Sequence, residues 1–210
     1  MSRAVIDRLR EARVIAVIRA PSADGAVLAV DALVRGGVTG IEITYSTPDV
    51  PRVLETLAER YGDRIVLGAG TLRRPEQADA AVAAGARFLV CPGLDDDLVG
   101  AMGATGAVTM AGALTPTEVM RADRLGADVV KIFPASLGGP SYLRGLRGPF
   151  PDVAFMPTGG VSADNVDEWI AGGAIAAGVG SELCSSADIA GERWHAIEAQ
   201  ARRFSAPTAT

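Results

Sequence analysis

The stretch VIAVIRAPSADGAVLAVDALVRGGVTGIEIT, residues 14–44, alternates between two kinds of local pattern. A short run rich in β-branched residues (14–19) is followed by a longer stretch with helical spacing that closes on glycine (23–37), and then by a second short apolar run (40–44). Short apolar runs bounded by turn residues favour buried strands, and helices commonly end on glycine. The stretch therefore predicts a strand, a helix and a second strand, the unit from which parallel sheets are built.

The same unit recurs to the end of the chain. Eight strand-like runs can be counted, at 14–19, 40–44, 65–70, 88–92, 107–113, 128–133, 153–158 and 174–180. Eight strand–helix units in a chain of 210 residues predict an α/β fold, a (β/α)₈ TIM barrel with few insertions. An open doubly wound sheet is the alternative, but no glycine-rich dinucleotide fingerprint follows the first strand.

The whole chain, 1–210, is expected to form a single domain with the barrel at about 14–183. The helix before the first strand is predicted to cover the lower mouth of the barrel. A C-terminal helix is predicted over 188–204, and the tail 205–210, which reads SAPTAT, is predicted to be disordered.

The composition argues against several classes of function. The net charge is −5 without a block of like charges, so no nucleic-acid surface and no polybasic membrane face is expected. The chain has no apolar run long enough for a transmembrane helix, and its N-terminus lacks the apolar core of a signal peptide. Its two cysteines lie far apart in sequence, which fits a reducing cytoplasm. With a single histidine besides, they form no recognisable metal motif, so neither a metal nor a cofactor is expected.

Lys131 is the only lysine in the chain, because nineteen of the twenty basic residues are arginine. It lies in the middle of VVKIF (129–133), a run that is expected to be buried. Arginine is always protonated in proteins, whereas a desolvated lysine can lose its proton and act as a nucleophile. We therefore expect Lys131 to serve amine chemistry.

Glu42 is the carboxylate that is expected to work with Lys131. If Ile41 and Ile43 face the helices, Glu42 and Thr44 point into the barrel, where Thr44 becomes a candidate substrate contact. A neutral lysine forms a Schiff base with a ketone, and a carboxylate can then move protons around this electron sink. A buried Lys–Glu ion pair that only fills polar space is the structural alternative.

Two glycine-rich segments follow the last two predicted strands, TGG (158–160) and GVGS (178–181). In many barrels this position holds a phosphate on backbone N–H groups and a helix N-terminus. Glycine also serves tight turns, so each segment alone is a weak signal. Together they predict a phosphorylated substrate.

Seven motifs occur in an order that resembles a known family: IEIT, LGAGT, VCPG, TPTE, KIFPA, PTGGV and GVGS. They are similar to those of the class I aldolases for 2-keto-3-deoxy-6-phosphogluconate (KDPG), a family that includes the 4-hydroxy-2-oxoglutarate (KHG) aldolases. The resemblance extends from about residue 14 to 183 and implies a lyase with the fold of a trimer-forming (β/α)₈ barrel. A homotrimer that binds pyruvate and a phosphorylated aldehyde is therefore expected.

The resemblance also implies roles for individual residues. Lys131 would be the Schiff-base lysine and Glu42 the general acid/base. The pyruvyl part of the substrate would be contacted or enclosed by Thr71, Thr158, Pro92 and Phe133. The phosphate would be held by Gly159, Gly160, Gly180 and Ser181.

The sequence departs from the family pattern at two positions. Well-known members carry a carboxylate-binding arginine four residues beyond the catalytic glutamate, where this chain has Ser46, and Ala111 replaces a usual proline. Arg19, at the end of the first strand, is the candidate to bind the carboxylate instead. That feature resembles relatives acting on the galactonate epimer, whereas TGGV is more like the gluconate enzymes.

The sequence is compatible with three functions. The first is an aldolase that reversibly cleaves KDPG to pyruvate and glyceraldehyde 3-phosphate, with 4-hydroxy-2-oxoglutarate as a further substrate and the galactonate epimer as the alternative one. The second is a phosphosugar epimerase or isomerase with Glu42 as base and Lys131 as electrostatic partner. The third is a barrel that binds a phosphorylated ligand without catalysis, since fold alone does not choose among these.

Overall fold

The protein is described here from a computed structural model that covers residues 2–205. The strands are β1 (Val14–Ile18), β2 (Gly40–Thr44), β3 (Val66–Gly70), β4 (Phe88–Val90), β5 (Val108–Ala113), β6 (Val129–Ile132), β7 (Phe155–Pro157) and β8 (Ala177–Val179). The α-helices within this range are α1 (Ser2–Ala12), α2 (Ala23–Arg35), α3 (Val50–Tyr61), α4 (Glu76–Ala83), α5 (Asp96–Ala104), α6 (Pro116–Arg124), α7 (Gly139–Arg147), α8 (Val166–Ala171), α9 (Ser186–Ala190) and α10 (Trp194–Ser205). None of the helices in the described range combines the length and the apolar character needed to cross a membrane.

The eight strands form a closed ring. They are parallel and follow one another in the order β7-β6-β5-β4-β3-β2-β1-β8. The ring closes between β7 and β8 through two isolated parallel bridges, Phe155 to Ala174 and Thr158 to Gly178. Because the bridges join β7 to β8, the two ends of the strand order, an open doubly wound sheet is excluded and the predicted (β/α)₈ barrel is confirmed.

Two apolar cores hold the barrel together. The outer core lies between strands and helices and includes Ile41 and Ile43 of β2, in agreement with the alternation of residues along a strand. The inner core fills the lower part of the barrel, and its strand and loop residues are Ile15, Val66, Phe88, Val90, Val108, Met110, Val129, Met156 and Ala176. The barrel is therefore packed solid below and leaves polar side chains only in its upper part.

Helix α1 closes the lower end of the barrel, as predicted. Val5 and Leu9 of this helix are buried and pack into the inner core. The Arg8 guanidinium donates hydrogen bonds to the carbonyl oxygens of Asp63 at 2.5 Å and of Ile65 at 3.0 Å, just before β3. Apolar burial and these two hydrogen bonds fix the helix beneath the strands.

The C-terminal segment differs from the single helix predicted over 188–204. It forms two helices, because α9 ends at Ala190 and Glu192, two residues further on, has a φ of +51°, which interrupts a right-handed helix. Ser205, predicted to start the disordered tail, is the last residue of α10, and its hydroxyl donates to backbone carbonyls. The rest of the predicted tail, 206–210, lies outside the described residues.

Candidate active site

Lys131 points into the barrel from β6. Its neighbours Val130 and Ile132 belong to the outer core, and Val129 belongs to the inner core, so the inner face carries the lysine. Only 2% of Lys131 is exposed. Its Nζ lies 5.4 Å from the centroid of the Phe133 ring. The amine is thus held at the upper edge of the apolar interior, next to an aromatic face.

Glu42 points inward from β2 and is fully buried. In the ring, β2 and β6 are separated by three strands in either direction, so Glu42 and Lys131 face one another across the barrel. Neither carboxylate oxygen of Glu42 has a hydrogen-bond partner within residues 2–205. A hydrogen-bonded ion pair of Glu42 with Lys131 or with Arg19 is therefore not present. A buried carboxylate left without such bonds is costly, and a chemical role is the usual reason that one is retained.

Two glycines make room for polar side chains of the site. A Cβ built on Gly70 would lie 1.7 Å from Oε1 of Glu42, and one built on Gly178 would lie 2.4 Å from Oγ1 of Thr158. Neither glycine has a role in the sequence analysis beyond its place in a motif. The signal that could have found Gly70 is the alternation along β3, which places it on the inner face near the carboxyl end of β2, opposite Thr44.

A cavity of about 140 Å³ opens above β1, β7 and β8. Its lining residues are Val17, Arg19, Phe133, Thr158, Gly159, Gly160, Val161, Gly178, Gly180, Ser181 and Glu182. Seven residues predicted to bind substrate or phosphate are in this set, and Phe133 connects the cavity to the lysine amine. A larger cavity of about 280 Å³ lies at the lower end of the barrel, beside Val5 and Arg87, away from these groups.

Glycines form much of the cavity wall, and two of them are required by the backbone. Gly159 and Gly160 have φ values of +88° and +79°, a conformation that side chains other than glycine rarely adopt. A Cβ on Gly160 would also lie 2.8 Å from Cβ of Ser136. Main-chain groups therefore line the cavity directly at this turn, as they do in sites where backbone N–H groups bind an anion.

Thr158 and Arg19 are the polar side chains best placed to meet a ligand in the cavity. Thr158 is 5% exposed, and its hydroxyl has no hydrogen-bond partner within residues 2–205. Arg19 follows β1 and is exposed, and its Nη1 would lie 3.7 Å from a Cβ on Gly180. The guanidinium thus stands next to the loop that follows β8.

Three of the residues predicted to bind substrate do not line the cavity, and neither do Lys131 and Glu42. The Thr44 hydroxyl donates to the carbonyl of Ile18 at 2.7 Å and lies 2.7 Å from the Ser46 hydroxyl, so it is bound within the protein. Thr71 follows β3 with a φ of +57°, which is strained for a β-branched residue and is typical of functional sites. Pro92 follows β4 at the same upper end of the barrel.

The Cys91 thiol lies at this end of the barrel and is buried. Burial raises the pKa of the Cys91 thiol, against smaller opposing effects of a backbone hydrogen bond at Gly112 and of the charge on Lys131. The thiol therefore stays protonated, and it donates to the carbonyl of Gly93 at 3.1 Å. Within residues 2–205, no three His, Cys, Asp or Glu side chains gather as a potential metal site.

Comparison with known proteins places the chain in a family. The model of the KDPG and KHG aldolase family matches residues 5–200. The 2-dehydro-3-deoxy-phosphogluconate aldolase of Pseudomonas aeruginosa is 39% identical over 168 residues, which is 79% of this chain and 76% of that protein. The 2-dehydro-3-deoxy-6-phosphogalactonate aldolase of Escherichia coli is 34% identical over 170 residues, 80% of this chain and 83% of that protein.

Solved structures agree with the sequence comparison. KDPG aldolase from Legionella pneumophila, with pyruvate captured as a covalent carbinolamine intermediate, superposes with a TM-score of 0.86 at 32% identity and 97% coverage of both chains. The native KDPGal structure superposes with a TM-score of 0.83 at 32% identity and 91% coverage of both. The resemblance drawn from the motifs is confirmed, and so is the assignment to the aldolases, which are lyases. The chain belongs to the KDPG and KHG aldolase family.

Proposed function

We propose that this chain is a Schiff-base aldolase that reversibly cleaves KDPG to pyruvate and glyceraldehyde 3-phosphate. The observation that carries the proposal is a single buried lysine that faces an unpartnered buried carboxylate across the barrel, beside a glycine-lined cavity. The same arrangement is suited to cleaving 4-hydroxy-2-oxoglutarate to pyruvate and glyoxylate. The carbinolamine of pyruvate in the Legionella relative supports a covalent route through an amine.

The covalent step begins with the neutral amine of Lys131. Its nitrogen attacks the C2 ketone of the substrate, and the carbonyl oxygen takes up a proton to give a carbinolamine. Loss of that hydroxyl as water leaves a protonated imine at C2, which draws electrons from the neighbouring C3–C4 bond. The apolar inner core beneath Lys131 keeps bulk water away from this side of the imine.

In the step that breaks the C3–C4 bond, Glu42 is the proposed base. The carboxylate takes the proton of the C4 hydroxyl, directly or through one water, and C4 becomes the aldehyde of the leaving product. The C3–C4 electron pair forms C2=C3, and the C=N pair returns to nitrogen, which gives the enamine of pyruvate. Protonation of C3 and hydrolysis of the imine then release pyruvate and restore Lys131.

The cavity is assigned to the remote parts of the substrate. Backbone groups of Gly159, Gly160 and Gly180, with the Ser181 hydroxyl, would bind the phosphate, because glycine lets the main chain approach an anion closely. Thr158 and Thr71 would contact the pyruvyl part, and Pro92 and Phe133 would enclose it. Thr44 is better assigned to holding the end of β2, because its hydroxyl already donates to Ile18.

Replacing Arg19 by alanine should weaken the use of the carboxylated substrate by about 10- to 150-fold in kcat/KM. This range corresponds to roughly 1.5–3 kcal/mol for a hydrogen bond to a charged group. The motivating observations are Ser46 at the position of the usual arginine and the Arg19 guanidinium at the cavity wall. Steady-state kinetics of the variant check the expectation.

Arg121 provides a matched control for Arg19. It is a partly exposed arginine on α6 that pairs with Asp96, away from the cavity. Arg121→Ala should keep the kinetic constants of the unmodified enzyme. Unchanged constants in Arg19→Ala would remove Arg19 from the site.

The galactonate epimer of the substrate is the second candidate, because Arg19 takes the place of the arginine missing at position 46 and a 34% identical relative is named for that epimer. The deciding assay measures pyruvate release from the gluconate-type and galactonate-type phospho-acids side by side. Higher kcat/KM for the gluconate type supports the first assignment, and a reversed order replaces it with the second. No pyruvate from either would overturn the aldolase proposal itself.

The assembly and the location of the enzyme belong to the same proposal. The family resemblance supports a homotrimer, and a mass measurement in solution would test it. A cytoplasmic location is supported by two buried cysteines that are both free. Pyruvate and a phosphorylated aldehyde are the proposed small-molecule partners.

A further inference from the structure

Gly70 of β3 lies directly beside the Glu42 side chain. A Cβ at this position would lie 1.7 Å from Oε1, 2.3 Å from Cδ and 2.6 Å from Cγ of Glu42. All three contacts are far shorter than any real Cβ contact, and all three involve the same side chain. The Glu42 carboxylate therefore occupies the space that any other residue at position 70 would fill.

The backbone of β3 does not itself demand glycine at this place. Gly70 is the last residue of β3, and its φ lies outside the left-handed region that favours glycine. By contrast, a Cβ on Gly40 or on Gly112 would meet main-chain atoms. At Gly70 the obstacle is a side chain alone, so the need for glycine comes from Glu42.

Packing rather than hydrogen bonding fixes the Glu42 carboxylate within the protein. A buried carboxylate is ordinarily oriented by several hydrogen bonds, but both oxygens of Glu42 lack a partner in the described part of the chain. The wall of the barrel limits their position, and Gly70 forms a part of that wall next to them. A displacement of about 1 Å at such a group is enough to slow catalysis by about 10²-fold.

We propose that Gly70 is a positioning residue for the reaction. Because it has no side chain, the Glu42 carboxylate can occupy the position from which it exchanges protons with the substrate. The proposal rests on the role of Glu42 given above. Gly70 does not contact the reacting atoms, but any larger residue at this position would displace the Glu42 carboxylate. Imine formation on Lys131, which lies on the opposite wall, is left intact.

A double-mutant cycle tests the proposal. The measured rate is the exchange of pyruvate methyl hydrogens for deuterium in D₂O. In this reaction a base removes a C3 proton from the protonated imine, the C–H pair forms C2=C3, and the C=N pair moves to nitrogen. The reverse step places a deuteron on C3. Borohydride trapping of the pyruvate adduct on Lys131, read by mass, reports imine formation separately.

Gly70→Ala should slow the exchange by about 10²-fold or more while the trapped fraction stays high. In a Glu42→Ala background, which has no carboxylate to displace, Gly70→Ala should change the exchange by less than about threefold. The thermal midpoint should follow the same pattern, lower for Gly70→Ala alone and recovered in the double variant. That second readout answers the question even if the single variant folds poorly.

Gly68→Ala is the matched control on the same strand and the same face. A Cβ there would lie 2.4 Å from the Phe88 ring, so the side chain it meets first belongs to the inner core and not to Glu42. Its effect should be the same in both Glu42 backgrounds. An equal cost of Gly70→Ala in both backgrounds, or no cost in either, would overturn the positioning role. Unchanged exchange in Glu42→Ala alone would instead overturn the role of Glu42, and the proposal with it.

Discussion

Replacing Lys131 by methionine should abolish aldol cleavage, with a loss of at least about 10⁴-fold in kcat/KM, or roughly 5 kcal/mol of barrier. Methionine has a similar length and suits the apolar run, so the barrel should stay folded. Lys131→Arg is the sharper companion, because it keeps a cation that cannot become a neutral nucleophile. Both variants should be inactive. Cleavage retained in Lys131→Arg would refute the covalent role of Lys131 and leave it a role through its charge alone.

The single lysine gives the covalent step a direct assay. A protease that cuts only after lysine should split the denatured chain once, after Lys131. Pyruvate and borohydride should convert that lysine to a secondary amine with a carboxylate-bearing branch, which no longer fits the protease. The trapped chain should resist the cut, whereas a sample treated with borohydride alone is cut normally. An adduct on the N-terminal amine raises the mass but leaves the cut in place. An unchanged mass with complete cutting would refute the Schiff-base mechanism.

Replacing Glu42 by glutamine should lower cleavage by about 10²- to 10⁴-fold, the usual contribution of a positioned general acid or base. Glutamine has nearly the same shape as glutamate and fits the same space beside Gly70, but it cannot take up a proton from the substrate. The pyruvate adduct should still form on Lys131, while exchange of the pyruvate methyl hydrogens slows in parallel with cleavage. Cleavage at the original rate would move the proton transfers to another group.

The same position should reveal a conflict between activity and stability. The Glu42 carboxylate is fully buried without hydrogen bonds in the described chain, and such a group lowers the free energy of unfolding. Glu42→Leu should therefore raise the unfolding free energy by on the order of 1–3 kcal/mol while activity is lost. Denaturant unfolding of the variant beside the unmodified protein measures this difference.

Most of the barrel could be predicted because two sequence signals mark the strands, the turn residues that follow them and the glycines that end the intervening helices. A β-branched run such as 14–19 is followed by turn residues, and glycine closes several of the helices between strands. The last strand was the least accurate, since its predicted start at 174 lies three residues before Ala177. The segment AIAAG is built of small residues with little strand preference, and only two isolated bridges hold this side of β8 to β7.

The site was predictable where chemistry singles out a residue type. Lys131 could be found because it is the sole lysine, and Glu42 because alternation along β2 turns it inward. The space that Gly70 leaves for the Glu42 side chain depends on the register between β2 and β3, and no local sequence pattern encodes that register. The internal bond of Thr44 to Ile18 likewise forms only when β1 and β2 come together. Such tertiary contacts decide which polar residues remain free to meet a ligand.

The seam between β7 and β8 has a mechanical consequence. In the described chain these neighbours share two isolated bridges, whereas every other pair of adjacent strands shares a ladder. The two glycine loops on either side of the seam, 159–160 and 180–181, are the proposed phosphate cradle. A phosphate ester bound by both loops would link β7 to β8 and so stabilise the closure of the barrel. Opening fluctuations of the seam would then be largest in the empty enzyme, and amide hydrogen exchange along β7 and β8 would slow when substrate is bound.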